Sequence, residues 1–397
     1  MKIGIDARCL LEGRRTGVEE YVLNLLPRIF EINRKDEFVL FLNSFKKTTP
    51  DLDWIRKHKN VRIKKFSFPN KLLNFFFWYF GWPKIDILLG GVDVMFFPNL
   101  AFGAVSRKAE VILTVHDLSF ERYPEFFSWK RRLWHIFLNP RKFICRSDRI
   151  ISVSHSTKDD LKRLYGISEK KFKVVASGIS EKFSPSDGNN PELLRVKEKY
   201  SLPWKFVLHL GTSEPRKNVG SLIRAFGAMK REAEKSGNSE LARYKLVLAG
   251  SPGWLEKDTL QEVERNGLKD DVVMANFIEE ADKPLLYNLA GCLVFPSYLE
   301  GFGFPPLEAQ RSGTPVIVSN NSAFPETVGR SAVMIDPERP TEIREALEAL
   351  LGDRELREKL AGRGWENAKE FSWKKTAEKT GEILEEIREA RKKKNNS

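Results

Sequence analysis

Two stretches decide the fold: IGIDARCLLEGRRTGVEEYVLNL, residues 3–25, and VLHLGTSEPRKNVGSLIRAF, residues 207–226. Each opens with a short β-branched run, passes through a glycine-bearing loop and continues into a helical pattern. Working outward from the first, a helix over Val18–Glu31 is followed by the strand EFVLFL and later by VILTV, RIISVS and FKVVA. From the second, the rhythm restarts with YKLVLAG, DVVMANF, CLVFPS and PVIVS. Strands alternating with amphipathic stretches give parallel sheets covered by helices. The rhythm breaks where Gly, Ser, Pro and Asn cluster, so residues near 177–203 read as a link between two doubly wound domains.

The composition agrees with two domains. At 397 residues, 41% apolar and 30% charged, the chain is too long for one ordinary core and too balanced to be disordered. No window holds the roughly 18 apolar residues of a spanning helix, and Asp6 and Arg8 interrupt the N-terminus where a signal peptide is apolar, so a cytoplasmic protein is expected. Cys9, Cys145 and Cys292 have neither pairing nor metal spacing, and each reads as a small buried hydrophobe. Residues 1–200 hold 37 Lys/Arg against 23 Asp/Glu, a surplus of 14, whereas the rest hold 30 against 31. The basic half calls for an anionic partner, either a phosphorylated acceptor or a membrane surface. No helix-turn-helix, zinc finger or RNP motif is present, so nucleic acid is not expected.

Three segments carry candidate chemistry. In Glu300-Gly-Phe-Gly-Phe-Pro-Pro-Leu-Glu308, Pro305 and Pro306 suit a first helical turn and Gly303 lets the backbone bend. A helix N-terminus attracts anions by about 0.3–1 kcal/mol when exposed, so this turn suits a diphosphate, with Glu300 and Glu308 directed to sugar hydroxyls. In LHLGTSEPRKNVGSL, Arg216 and Lys217 precede a helix starting near Asn218 or Val219 and can neutralise charge on a leaving diphosphate without a metal. In VILTVHDLSFERYP, His116 and Asp117 stand at a strand's carboxyl end, suited to hold the donor sugar and the acceptor's proton. The lone Asp51-Leu-Asp53 is better read as a helix cap than as a metal motif. His209 is read as packing. The aromatic run Lys71–Lys84 is read as a core helix, with the alternative of an acceptor or membrane contact shared with the basic, aromatic Ser128–Phe143.

These motifs, in this order, resemble the retaining GT-B glycosyltransferases of family 4, mannosyltransferase-like members among them, over nearly the whole chain. The match lies in Glu300 with Glu308, in Gly211–Asn218, in His116-Asp117 and in a glycine loop at Gly13–Gly17. The resemblance implies two Rossmann-like domains facing a central cleft: residues 1–180 on the acceptor side, 181–370 binding the nucleotide sugar, and 371–397 a helix crossing back. It implies that Glu308 contacts the ribose, Arg216 and Lys217 the diphosphate, and the amides of Phe302–Phe304 the sugar near Glu300. Gly17, Gly211 and Leu307 complete the donor site, and main-chain groups at Phe277 and Ile278 hold the base. The expected activity is retaining, metal-independent transfer of a hexose, first mannose from GDP-mannose, to a saccharide or lipid-linked acceptor. Alternatives are a UDP- or ADP-glucose donor, an inactive nucleotide-sugar-binding subunit and a sugar-nucleotide 2-epimerase.

Overall fold

The computed structural model describes residues 1–11, 17–45, 52–251 and 256–395. The chain divides into unit 1, Met1–Gly178 with Ser372–Ser397, and unit 2, Ile179–Phe371.

Unit 1 holds a seven-stranded sheet of β1 (Lys2–Asp6), β2 (Glu37–Asn43), β3 (Val61–Phe66), β4 (Val94–Phe97), β5 (Glu110–Val115), β6 (Arg149–Ser152) and β7 (Phe172–Val174). Their spatial order is β3-β2-β1-β4-β5-β6-β7, every pairing parallel. Unit 2 holds β8 (Phe206–Leu210), β9 (Lys245–Ala249), β10 (Val272–Asn276), β11 (Cys292–Phe295), β12 (Val316–Ser319) and β13 (Val333–Ile335). Their order is β10-β9-β8-β11-β12-β13, again all parallel. Helices on both faces bury the central strands completely: β8 and β11 have no exposed residue. That explains why both are almost wholly apolar, His209 of β8 excepted, because a parallel strand has no solvent side. In each unit the direction of winding reverses once, between β1 and β4 and between β8 and β11. Such a switch point leaves a crevice at the strands' carboxyl ends, where this architecture binds ligands.

The helix Gly17–Ile32 forms over the stretch expected from sequence, and the helix Trp373–Asn395 packs against it within unit 1. Trp373, Ile383, Leu384 and Ile387 are buried there, and Arg388 and Arg391 pair with Asp36 and Asp93 at 2.6 and 2.8 Å. The chain passes from unit 1 to unit 2 after Gly178 and returns after Phe371; the two ends of unit 2 are joined where the Ile179 amide donates to the Phe371 carbonyl at 2.9 Å.

Several expectations are corrected. The chain does cross between the units within residues 177–203, at Gly178, but from Ile179 on this stretch belongs to unit 2 and includes the helix Pro191–Lys199, and Arg195, Lys199 and Tyr200 all bind Asp282. The aromatic run is not a core helix: in Asn70–Tyr79 only Leu73 and Phe77 are buried, and Phe75, Trp78, Tyr79, Phe80 and Trp82 are exposed. Cys145 is exposed, because Ile144 is the inward residue of its short helix. Asp51 and Gly13 lie outside the described residues, and Asp53 pairs with Arg56 in the first turn of its helix rather than capping it. No described helix is long and apolar enough to cross a membrane.

Candidate functional site

In unit 2, the loop after β8 and the loop after β11 meet at the switch point. The Tyr298 amide donates to the Arg216 carbonyl at 2.8 Å, tying one loop to the other. Across that tie, Arg216 Nη1 donates to Glu300 Oε1 at 2.9 Å and Lys217 Nζ to the same oxygen at 2.5 Å. Arg216 Nε also holds Glu214 at 3.0 Å, and Nη1 reaches the Leu299 carbonyl at 3.3 Å. Glu300 is buried, its amide donating to Ser322 Oγ at 3.1 Å. Burial acts to raise its pKa, but the Arg216 and Lys217 charges overcome burial and hold it at about 2. Glu300 is therefore ionised at neutral pH. Burial, and then the charge of Arg216, push the Lys217 ammonium below the ordinary lysine range, against the pull of Glu300. Glu300 thus fixes two cations before any ligand arrives, the preorganisation that stabilises developing negative charge without reorganisation.

Beneath them lies His209. Its Nδ1 is 3.0 Å from the Val294 carbonyl, its ring stacks on Phe295 at 5.4 Å, and Lys217 Nζ sits 4.6 Å over the same Phe295 ring. Burial pushes His209 down to about 4, so it is neutral. A carbonyl only accepts, so Nδ1 carries the proton and the buried Nε2 faces no hydrogen-bond partner among the described residues.

Glu308 stands one turn into the helix Phe304–Arg311, buried, accepting from the Tyr287 hydroxyl at 2.8 Å. Burial and the neighbouring carboxylate push that hydroxyl's pKa well up, so Tyr287 stays a donor. Pro305 and Pro306 fill the first turn of the helix Phe304–Arg311, where their missing N–H groups cost nothing. Leu307 is fully buried, its side chain packed in the core. Gly303 enters the helix at φ 92°, and a Cβ there would stand 2.8 Å from the Phe324 ring. Phe277 is exposed and Ile278 buried, both following β10.

Gly211 and Gly250 end β8 and β9. Gly250 has φ 130°, and a Cβ on it would fall 2.1 Å from the Gly211 carbonyl oxygen. No side-chain rotation relieves a clash between Cβ and backbone. Gly250→Ala is therefore expected to displace the Gly211 loop, destabilising unit 2 by about 2–3 kcal/mol and raising the donor KM at least about tenfold; chemical denaturation and initial rates measure the two effects.

His116 and Asp117 belong to unit 1, after β5, and Gly17 begins the helix Gly17–Ile32 of the same unit. His116 Nε2 is 2.8 Å from the Pro98 carbonyl at the end of β4, and Tyr21 packs edge-on against the ring at 5.0 Å. Burial pushes its pKa below the usual value. The neutral ring must then donate from Nε2, which leaves Nδ1 as an acceptor for a hydroxyl. Asp117 Oδ1 accepts from both the amide and the hydroxyl of Ser119, at 2.9 and 2.6 Å, and so braces the turn Ser119–Arg122. The sequence reading missed Tyr287, Ser322 and Glu214. None carries a spacing signal, since each acts through a contact between distant elements.

Residues 192–366 match the sequence profile of the glycosyl transferases group 1, and residues 15–183 that of glycosyltransferase family 4. The chain is 31% identical over 275 residues to the O-antigen chain mannosyltransferase B of Escherichia coli, covering 69% of this chain and 70% of that protein. Among solved structures, sucrose-phosphate synthase from Thermosynechococcus elongatus superposes with TM-score 0.76 at 18% identity, over 98% of this chain and 99% of that one. Anabaena Alr3699/HepE, crystallised with UDP-glucose, gives 0.71 at 17%, over 97% and 100%. At such identities the structural likeness speaks for the GT-B fold alone, while the sequence match carries the family. The chain belongs to family 4 of the GT-B glycosyltransferases, with mannosyltransferases among its relatives.

Proposed function

We propose that the protein transfers mannose from GDP-mannose, with retention of anomeric configuration and without a metal, to a growing surface polysaccharide on a saccharide or lipid-linked acceptor at the cytoplasmic membrane face. The carrying observation is the pair of cations that Glu300 holds at the unit 2 switch point. A diphosphate laid there meets two cations. Glu308 receives the ribose hydroxyls, main-chain groups at Phe277 and Ile278 hold the base, and the sugar lies near Glu300, toward the amides of Phe302–Phe304. His116 Nδ1 accepts from a sugar hydroxyl and Asp117 orients it. The bond from the anomeric carbon to the diphosphate breaks as the acceptor oxygen bonds to the same face of that carbon, and the acceptor's proton passes to the leaving phosphate oxygen. The mannose assignment follows the Escherichia coli relative, whose name places it in O-antigen assembly.

A thermal-shift series with GDP-mannose, UDP-glucose and ADP-glucose, each with magnesium or with a chelator, tests the donor. Binding raises stability by RT ln(1 + [L]/Kd), about 2.7 kcal/mol at a hundredfold excess over Kd. The expected result is a shift with GDP-mannose that the chelator does not abolish. A shift with UDP-glucose alone would replace mannose by glucose, and turnover of the donor without acceptor to an epimer would replace transfer by epimerisation.

A further inference from the structure

The aromatic side chains that leave the core of unit 1 form a surface with its own chemistry. Trp78 and Tyr79 face outward from the helix Asn70–Tyr79, and Trp134, Ile136 and Phe137 from the helix Trp129–Leu138. Trp78 and Phe137 meet edge to face, ring centres 5.0 Å apart at 81°, so the two apolar surfaces are continuous. A folded chain gains nothing by leaving so many large rings in water, and a patch of this kind marks a contact with something apolar.

Beside it, still within unit 1, a cavity of about 770 Å³ opens, the size of a small-molecule site. None of the donor-site candidates lines it. Its apolar wall includes Phe77, Trp78, Phe80, Phe102 and Phe137, and its polar wall includes Lys84, Arg107, Lys142 and Arg146. No carboxylate pairs with any of these four cations among the described residues. The one acid in the lining, Asp148, accepts from the Val111 amide at 2.8 Å. Cations gathered round one opening repel each other, and an anion of more than unit charge relieves that repulsion while gaining charge-assisted hydrogen bonds. Aromatic rings already packed on one another, as Phe75 on Tyr79 at 5.8 Å and 6°, offer edges and a hydrocarbon-like face rather than open slots for bases.

We propose that this cavity binds the phosphate end of a single long-chain lipid, whose hydrocarbon lies across Trp78, Tyr79 and Phe137. The lipid is the carrier of the acceptor saccharide; that role rests on the glycosyltransferase reading, whereas the binding itself does not. The cavity, on this view, selects one phosphorylated lipid molecule, and the exposed Lys130, Arg131 and Arg132 supply only general attraction to an anionic bilayer.

The test titrates the full chain, without nucleotide sugar, with a long-chain prenyl phosphate in neutral detergent and follows tryptophan fluorescence. The expected result is saturable binding that the free prenol matches at least about tenfold more weakly, and that Arg107→Ala with Lys142→Ala weakens by about tenfold or more. Trp78→Ala with Phe137→Ala should weaken it as well, while both double variants keep the wild-type thermal shift with nucleotide sugar. That retained shift shows the variants are folded and separates a failure here from a failure of the donor reading. The proposal is overturned if phosphatidylglycerol vesicles bind as tightly and only the Lys130, Arg131 and Arg132 to glutamate variant releases them, which would mean surface adsorption. Equal competition by inorganic phosphate, or tighter binding of an oligonucleotide, would overturn it too.

Discussion

Replacing Arg216 and Lys217 together by alanine is expected to lower kcat/KM by about a thousandfold while the chain stays folded. Each cation makes charge-assisted hydrogen bonds worth about 1.5–3 kcal/mol to a developing phosphate charge, and about 1.4 kcal/mol is a factor of ten, so the pair spans roughly two to four decades. The loss should fall on kcat more than on KM, because the charge on the leaving diphosphate grows in the transition state. The buried Glu300 loses both cations in this variant, and burial then raises its pKa against only the Ser297 hydrogen bond, so the carboxyl can be buried neutral and the fold spared a bare charge. Glu300→Gln is the instructive contrast. It keeps both cations but leaves the buried Lys217 without its hydrogen-bonded carboxylate and with only the Glu214 charge, already paired to Arg216, so it should destabilise unit 2 where the double alanine variant does not. Steady-state kinetics beside thermal melts decide the matter: a folded double variant within threefold of wild type removes Arg216 and Lys217 from catalysis.

Ending the chain at Phe371 is expected to unfold unit 1 and leave unit 2 intact. The helix Trp373–Asn395 contributes Trp373, Ile383, Leu384 and Ile387 to the interior of unit 1, none more than 3% exposed. At about 1.5–3 kcal/mol for each large apolar side chain, their loss removes roughly 6–12 kcal/mol, comparable with the whole stability of a domain. Polar ties go with them: the Thr376 hydroxyl donates to the Ala176 carbonyl at 2.9 Å, and Asp36 keeps the N-terminal ammonium at 2.8 Å but loses Arg388. The truncated chain should lose protease resistance across residues 1–178 and still show the nucleotide-sugar thermal shift of unit 2. Retention of two cooperative melting transitions would show that the helix is dispensable to unit 1.

Both predictions depend on features of unequal legibility. The parallel sheets follow from strand composition, since β2, β8 and β11 are each dominated by an apolar run. The place of the switch points does not, because nothing local in β1 or β8 says that its next neighbour is β4 or β11. Glu300, Arg216 and Lys217 stand out by spacing and by the loops that bear them, yet their mutual pairing is a product of strand order. That order brings positions 84 and 83 residues apart onto one carboxylate oxygen. Tyr287 was invisible for the same reason: its hydroxyl meets Glu308 across a helix contact that no periodicity encodes. The Lys71–Lys84 aromatics show the opposite failure. Apolar character says only that a side chain avoids water, and contact with a lipid satisfies that as well as a core does.

The joining of Ile179 to Phe371 has a consequence for synthesis. Unit 2 is an insertion in the sequence of unit 1, so the ribosome delivers all of β1–β7, then residues 179–371, and only afterwards the helix that closes unit 1. At about 5–20 residues per second that interval is roughly 10–40 s, ample for unit 2 to become native while the helix Gly17–Ile32 waits with its apolar flank uncovered. A helix Trp373–Asn395 from a neighbouring nascent chain would fit that flank equally well, so crowded polysomes should favour exchanged dimers, and the later half of the chain matures first.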